Sequence, residues 1–151
     1  MRNLRVTTVL FAIAMLPLLA GCGGSDPEID KSIADVRTSV QHLREAIKDE
    51  DEAVKARTAD AKEQIENVQL VAQIEHTKLE KYAQRAPAKT QDFADAAENW
   101  ASTILTARTA ILEQVVENLG SAAIANSYMA EDRMDEEAKK LGVTPWTPRK
   151  G

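Results

Sequence analysis

Between Pro27 and Pro87 the chain contains neither glycine nor proline, and its apolar residues recur there at alternating steps of four and three. Ile29, Ile33, Val36, Val40, Leu43 and Ile47 keep that rhythm strictly, and Val54, Ala61, Ile65, Val68, Ala72 and Leu79 continue it more loosely. This spacing gathers the apolar side chains on one stripe of an α-helix, the seam of a coiled coil. Asp26-Pro27-Glu28 supplies the start: a capping carboxylate, a proline whose fixed φ suits the first helical position, and an acid facing the positive end of the helix dipole. The interval predicts one helix over 27–85, about 58 residues and ~87 Å long at ~1.5 Å per residue. Its weakest stretch is Lys48-Asp49-Glu50-Asp51-Glu52, where the seam lacks a large apolar residue. Glu and Lys favour helix and no residue there marks a reversal, so these acids are expected on a solvated face rather than in a turn.

The interior break falls at Arg85-Ala86-Pro87-Ala88-Lys89-Thr90, because proline disfavours helix in the residue before it and Thr90 suits a new N-cap. A second helix over 90–141 follows, with Phe93, Ala97, Trp100, Ile104, Ala107, Ile111 and Val115 again spaced four and three. Gly142 serves as its C-terminal stop, and Pro145 and Pro148 prevent resumption. Gly120 leaves open a break into a short third helix, although one helical glycine costs only about 1 kcal/mol. Two helices of similar length joined by a short connection fold back on each other. The expected fold is therefore all-α, an elongated antiparallel hairpin over 27–142 resembling a coiled coil, followed by an irregular tail over 143–151. Reflection about Pro87 makes the numbers of contacting residues sum to roughly 176, which sets Ile65, Val68 and Ala72 against Ile111, Ala107 and Ile104. It also puts the Pro87 turn far from the start of the first helix.

Composition agrees. Aromatic residues are only 4%, with 6 Gly and 5 Pro, too few for an all-β fold. A sequence pI near 5.1 argues against a nucleic-acid footprint, which needs a basic face. Catalytic constellations are lacking too. His42 and His76 are the two histidines, and the pairs His42/Glu45 and His76/Glu80 supply at most two metal ligands each. No glycine-rich phosphate loop and no nucleophile with a positioned base can be assembled. The expectation is a protein that is not an enzyme and holds no cofactor or metal.

The first 21 residues read as a leader. Arg2 and Arg5 form a positive start, Val6 to Ala20 is an uncharged and mostly apolar run, and ~15 helical residues reach only about 22 Å, short of a bilayer's roughly 30 Å core. Leu19-Ala20-Gly21-Cys22 then resembles the lipobox of bacterial lipoproteins, and Cys22 is the single cysteine. The resemblance implies a diacylglyceryl thioether on Cys22, cleavage before it, and acylation of the new amino terminus. Several acyl chains, each contributing ~0.8 kcal/mol per buried methylene, make such an anchor effectively permanent. In enteric lipoproteins an Asp after the acylated Cys retains the protein in the inner membrane; Gly23 here implies the outer membrane, facing the periplasm. Residues 22–26 would be the lipidated Cys and its tether. Loss of the leader removes Arg2 and Arg5 and leaves 17 basic against 24 acidic residues, a formal charge of −7.

Cys22-Gly23-Gly24-Ser25 leading into the seam from Ile29 to Ile47 also resembles murein-lipoprotein-like coiled coils, over about 25 residues. That family is a single helix ending in a Lys joined to peptidoglycan. This chain turns at Pro87 and ends Arg149-Lys150-Gly151, so the lipid anchor is carried over and the cell-wall link through Lys150 is not.

From Trp100 to Ala130 the only charged residues are Arg108, Glu113 and Glu117. A helix so apolar around its circumference requires cover on several sides. Self-association or a protein partner would supply it at a face including Trp100, Ile104, Ile111, Val115 and Ile124; a bent first helix, or the tail carrying Trp146, would supply it from within. The leading expectation is a lipid-anchored structural or protein-interaction element of the envelope, with peptidoglycan contact open. The alternatives are a chaperone-like or ligand-binding module with an apolar groove over residues 100–130, and an accessory or exclusion lipoprotein of a secretion or conjugation system.

Overall fold

The computed structural model describes residues 26–113 and 117–144, and among them finds four α-helices and no strand: α1 (Pro27–Ala56), α2 (Ala61–Ala83), α3 (Gln91–Leu112) and α4 (Glu117–Lys140). The all-α expectation holds. So does the start of α1, where the Asp26 carboxylate accepts a hydrogen bond from the Glu28 amide at 3.0 Å and Pro27 opens the helix.

The single helix expected over 27–85 is divided at 57–60. Arg57 adopts the left-handed conformation, φ 51°, and the Arg57 and Thr58 amides donate to the carbonyls of Val54 and Ala53, both at 3.1 Å. These two bonds make a Schellman motif, the usual terminus of a helix that ends in glycine, built here on an arginine. The physical reason is the lapsed seam. Val54 remains 48% exposed, so continuing α1 would extend a helix with little to bury. Reversal instead lays Val36, Val40, Leu43 and Ile47 against Val68, Ala72 and Leu79, all essentially removed from water at ~1.5–3 kcal/mol for each large side chain.

The second long helix is also divided, between Leu112 and Glu117, and not at Gly120, which lies inside α4. Its end is as expected. Gly142 has φ +72°, its amide donates to Lys139 and that of Val143 to Ala138, a second Schellman motif, and Val143 is buried.

Side-chain contacts fix the topology. Gln69 bonds Thr109 and His76 bonds Glu98 across α2 and α3, antiparallel with sums of 178 and 174, close to the expected 176. His42 meets Glu75 across α1 and α2, also antiparallel. Ser32 meets Thr90, and Glu50 meets Arg108, each pair 58 residues apart, so α1 and α3 run parallel. α4 packs along α3, and Arg44 of α1 reaches Glu131 and Asp135 of α4. The result is an up-down-up-down bundle with helices of 22–30 residues, ~33–45 Å long. The Pro87 connection therefore sits at the same end as Asp26, not far from it as expected. That end is called proximal here.

Candidate interaction surfaces

α3 is the central helix. Phe93, Trp100 and Ile104 are 1% exposed, and Ala94, Ala97, Ala101 and Ala107 are fully buried, small residues that let neighbouring helices approach. With α2, α4 and α1 around it, its apolar circumference finds cover inside the molecule, as the bent-first-helix alternative required. Trp100 and Ile104 are thus not available as an outward face. Ile111 and Ile124 are half-buried. Val115 lies outside the described residues, as do Cys22, Gly23, Trp146 and Lys150.

Exposed apolar side chains occur elsewhere: Tyr128 and Met129 on α4, 50% and 63% exposed, and Leu70 and Ile74 one turn apart on α2. Tyr128 and Met129 fall within the weakly charged stretch from Trp100 to Ala130, whereas no sequence signal singled out Leu70 and Ile74.

Three polar clusters tie the helices together. Glu50, expected on a solvated face, is instead buried; Arg108 donates to its Oε2 from Nε at 2.9 Å and approaches from Nη2 at 2.8 Å. The one cation in the apolar stretch of α3 is thereby neutralised by the one acid of the 49–52 run that turns inward. Such a pair fixes register more than it stabilises, because both ions lose their hydration. On the opposite side, the Arg44 guanidinium lies 2.9 Å from Glu131 and 3.1 Å from Asp135, with its carbon 5.7 Å from the Trp100 ring centre. The backbones of α1 and α4 do not approach as the other neighbours do. Long side chains bridge that seam.

The third cluster is Glu75, 3% exposed, which accepts from Lys78 at 2.7 Å and faces His42 Nδ1 at 3.4 Å. Burial pushes its carboxyl up, but hydrogen bonds from Lys78, Ser39 and His42 and the Lys78 charge outweigh this, leaving it below the ordinary carboxylate value. His76 Nε2 lies 2.7 Å from Glu98. Both histidines therefore meet acids on a neighbouring helix rather than Glu45 and Glu80. Among the described residues no three potential ligands converge on a metal position, and no helix is long and apolar enough to cross a membrane.

Thr90 also departs from expectation. It occupies the N-cap position, but its hydroxyl contacts Ser32 at 2.9 Å and Pro87 O at 3.2 Å, and caps no amide. Gln91 Nε2 reaches back to the Ala83 carbonyl at 2.9 Å, satisfying the end of α2. This locked connection forms one wall of a cleft of about 280 Å³ at the proximal end. Glu28, Lys31, Ser32 and Asp35 of α1 line one side; Tyr82, Arg85 and the Ala86-Pro87 pair line the other. Sequence reasoning missed it because it depends on the reversal at Arg57, which brings the end of α2 beside the start of α1. Scans against family models, curated proteins and solved structures find no match to this chain.

Proposed function

We propose that the chain is a lipid-anchored helical bundle of the bacterial envelope, held through Cys22 on the periplasmic face of the outer membrane and acting as a structural or protein-interaction element rather than a catalyst. The observation that carries this reading is Leu19-Ala20-Gly21-Cys22 at the end of an uncharged apolar leader, with Cys22 the sole thiol and the α1 cap only four residues beyond it. A body that buries its own core and joins its helices through internal ion pairs suits a protein whose work is holding position. Its reach from the anchor is set by α1 at ~45 Å, half the span of an uninterrupted rod. The chaperone-like alternative, with its apolar groove over residues 100–130, has less support, since Trp100, Ile104 and Ala107 of α3 are buried within the bundle. Tyr128 and Met129 on α4 favour self-association or a protein partner at that helix instead.

The experiment is mass spectrometry of the peptide beginning at residue 22, isolated from cells. The expected result is a diacylglyceryl thioether with an acylated amino terminus, absent together with palmitate incorporation in Cys22→Ser. A bare thiol on the native protein refutes the reading.

A further inference from the structure

The proximal cleft is lined by charges of both signs that do not neutralise one another. Glu28, Lys31, Ser32 and Asp35 are spaced three, one and three apart, so they share one face of α1, and Arg85 comes from beyond the end of α2. Glu28/Lys31 and Lys31/Asp35 have the spacings at which helical ion pairs form. This chain makes such pairs elsewhere, between Lys48 and Glu52, Lys62 and Glu66, and Glu137 and Lys140. In the cleft it makes none. Among the described residues, no ion pair within 4.0 Å involves Glu28, Lys31, Asp35 or Arg85. Two carboxylates and two cations held around one cavity, each still available, match a ligand that itself carries an anion and a cation a few bonds apart.

We propose that this cleft binds a zwitterionic headgroup composed of a phosphate and a primary ammonium, phosphoethanolamine, with Lys31 and Arg85 on the phosphate and Glu28 and Asp35 on the ammonium. Arginine and lysine are the ordinary donors to phosphate, and a primary ammonium donates three hydrogen bonds to carboxylates. Tyr82, Ala86 and Pro87 offer carbon surface to the glyceryl end. At about 280 Å³ the cavity falls just below the ~300–1,000 Å³ usual for drug-sized ligands, a size for a headgroup and not for a folded partner. The source of the headgroup follows from the anchor, and this part rests on the reading above. Asp26 is four residues from Cys22, a stretch spanning at most about 14 Å, so the cleft stands within a leash-length of the bilayer surface.

The test is titration of glycerophosphoethanolamine into the intact chain in non-ionic detergent, followed by backbone amide NMR shifts of Lys31, Ser32 and Arg85. Saturable shifts are expected, weakened at least tenfold in Arg85→Ala and in the double variant Glu28→Gln/Asp35→Asn. Glycerophosphocholine, whose quaternary ammonium cannot donate, should bind at least tenfold more weakly. These side chains lie at the surface, and unchanged helical circular dichroism verifies that the variants fold. Equal affinity for the choline and ethanolamine compounds, or undiminished binding by either variant, overturns the proposal. Glycylglycine is the source control: binding as tight as that of glycerophosphoethanolamine overturns the phosphate assignment and gives the cleft to free amino-carboxylates. In vesicles, labelling of Lys31 by amine-acylating reagent, taken as a ratio to that of the exposed Lys62 so that reagent consumed by the lipid amine cancels, should fall when phosphatidylethanolamine is present and not when phosphatidylcholine replaces it; an equal ratio overturns the bilayer source. Failure of the anchor is read separately, from the mass of the peptide at Cys22. Headgroup binding with a bare thiol sinks only the anchor, and an acylated Cys22 without headgroup binding sinks only the cleft.

Discussion

Replacing Arg57 by glycine reads the reversal between α1 and α2 directly, because the sign of the effect depends on whether the helix ends there. At φ 51° a residue with a Cβ bears a penalty of ~1–2 kcal/mol that glycine escapes. Glycine in turn loses about 0.5–1 kcal/mol more conformational entropy on folding. Arg57 is exposed and makes no ion pair among the described residues, so little else is lost with its side chain. The net expectation is a gain of roughly 0.5–1 kcal/mol, a rise in Tm of about 3 °C for a body of this size. In an uninterrupted helix the same substitution would cost about 1 kcal/mol and lower Tm by a similar amount. Arg57→Ala serves as a control: near zero in the left-handed conformation, slightly stabilising within a helix. Gly142→Ala is the reciprocal test, since an added Cβ meets nothing within 4 Å and its cost of ~1 kcal/mol is conformational alone. Urea and thermal melts followed by far-UV circular dichroism measure all three. A destabilised Arg57→Gly refutes the Schellman ending and restores the long rod.

Arg108→Ala should cost ~3–5 kcal/mol in urea unfolding by taking the guanidinium away from the buried Glu50 carboxylate, whereas Glu50→Leu/Arg108→Met should be roughly neutral; equal losses in both would mean that the pair is not desolvated. Glu75 has a folded value below its ordinary 4.5, so its contribution is complete above the unfolded value and disappears as pH falls through the folded one. Glu75→Gln should therefore flatten the acid limb of Tm against pH, and an unchanged limb would contradict the Lys78, Ser39 and His42 contacts. Leu79→Ala should destabilise the bundle by ~2–5 kcal/mol, and a loss under 1 kcal/mol would mean that the α1–α2 core is not packed as described.

Legibility differed between elements for physical reasons. The α1 cap and the Gly142 stop use residues whose local chemistry is nearly obligatory, Asp-Pro-Glu and a left-handed glycine, so both are readable in the chain. The α2–α3 pairing followed from one proline and a constant spacing, which geometry turns into contacts such as Gln69 with Thr109. The turn at Arg57 left no such mark. Its left-handed residue is an arginine, and the deciding quantity is the area gained when Leu43 and Ile47 meet Val68 and Leu79, a tertiary term that no local window contains. The inward turn of Glu50 and the cleft between Lys31 and Arg85 were hidden with that reversal, whereas cover over Trp100 by a bent first helix was one of the arrangements the apolar stretch allowed. Thr90 was legible as a residue type and not in its bonding, because Ser32 competes for its hydroxyl.

Because the polypeptide makes an even number of passes, Asp26 and Thr144 leave the bundle at one pole, and the bend at 57–60 marks the opposite pole. An epitope spliced between Thr58 and Ala59 would thus ride as a flag at the tip of the mast, accessible to antibody while Asp26 and Thr144 stay at the base. Splicing the same epitope into the Pro87 connection would place it beside Asp26 and Thr144, and the contrast between the two insertions reports which pole an antibody reaches.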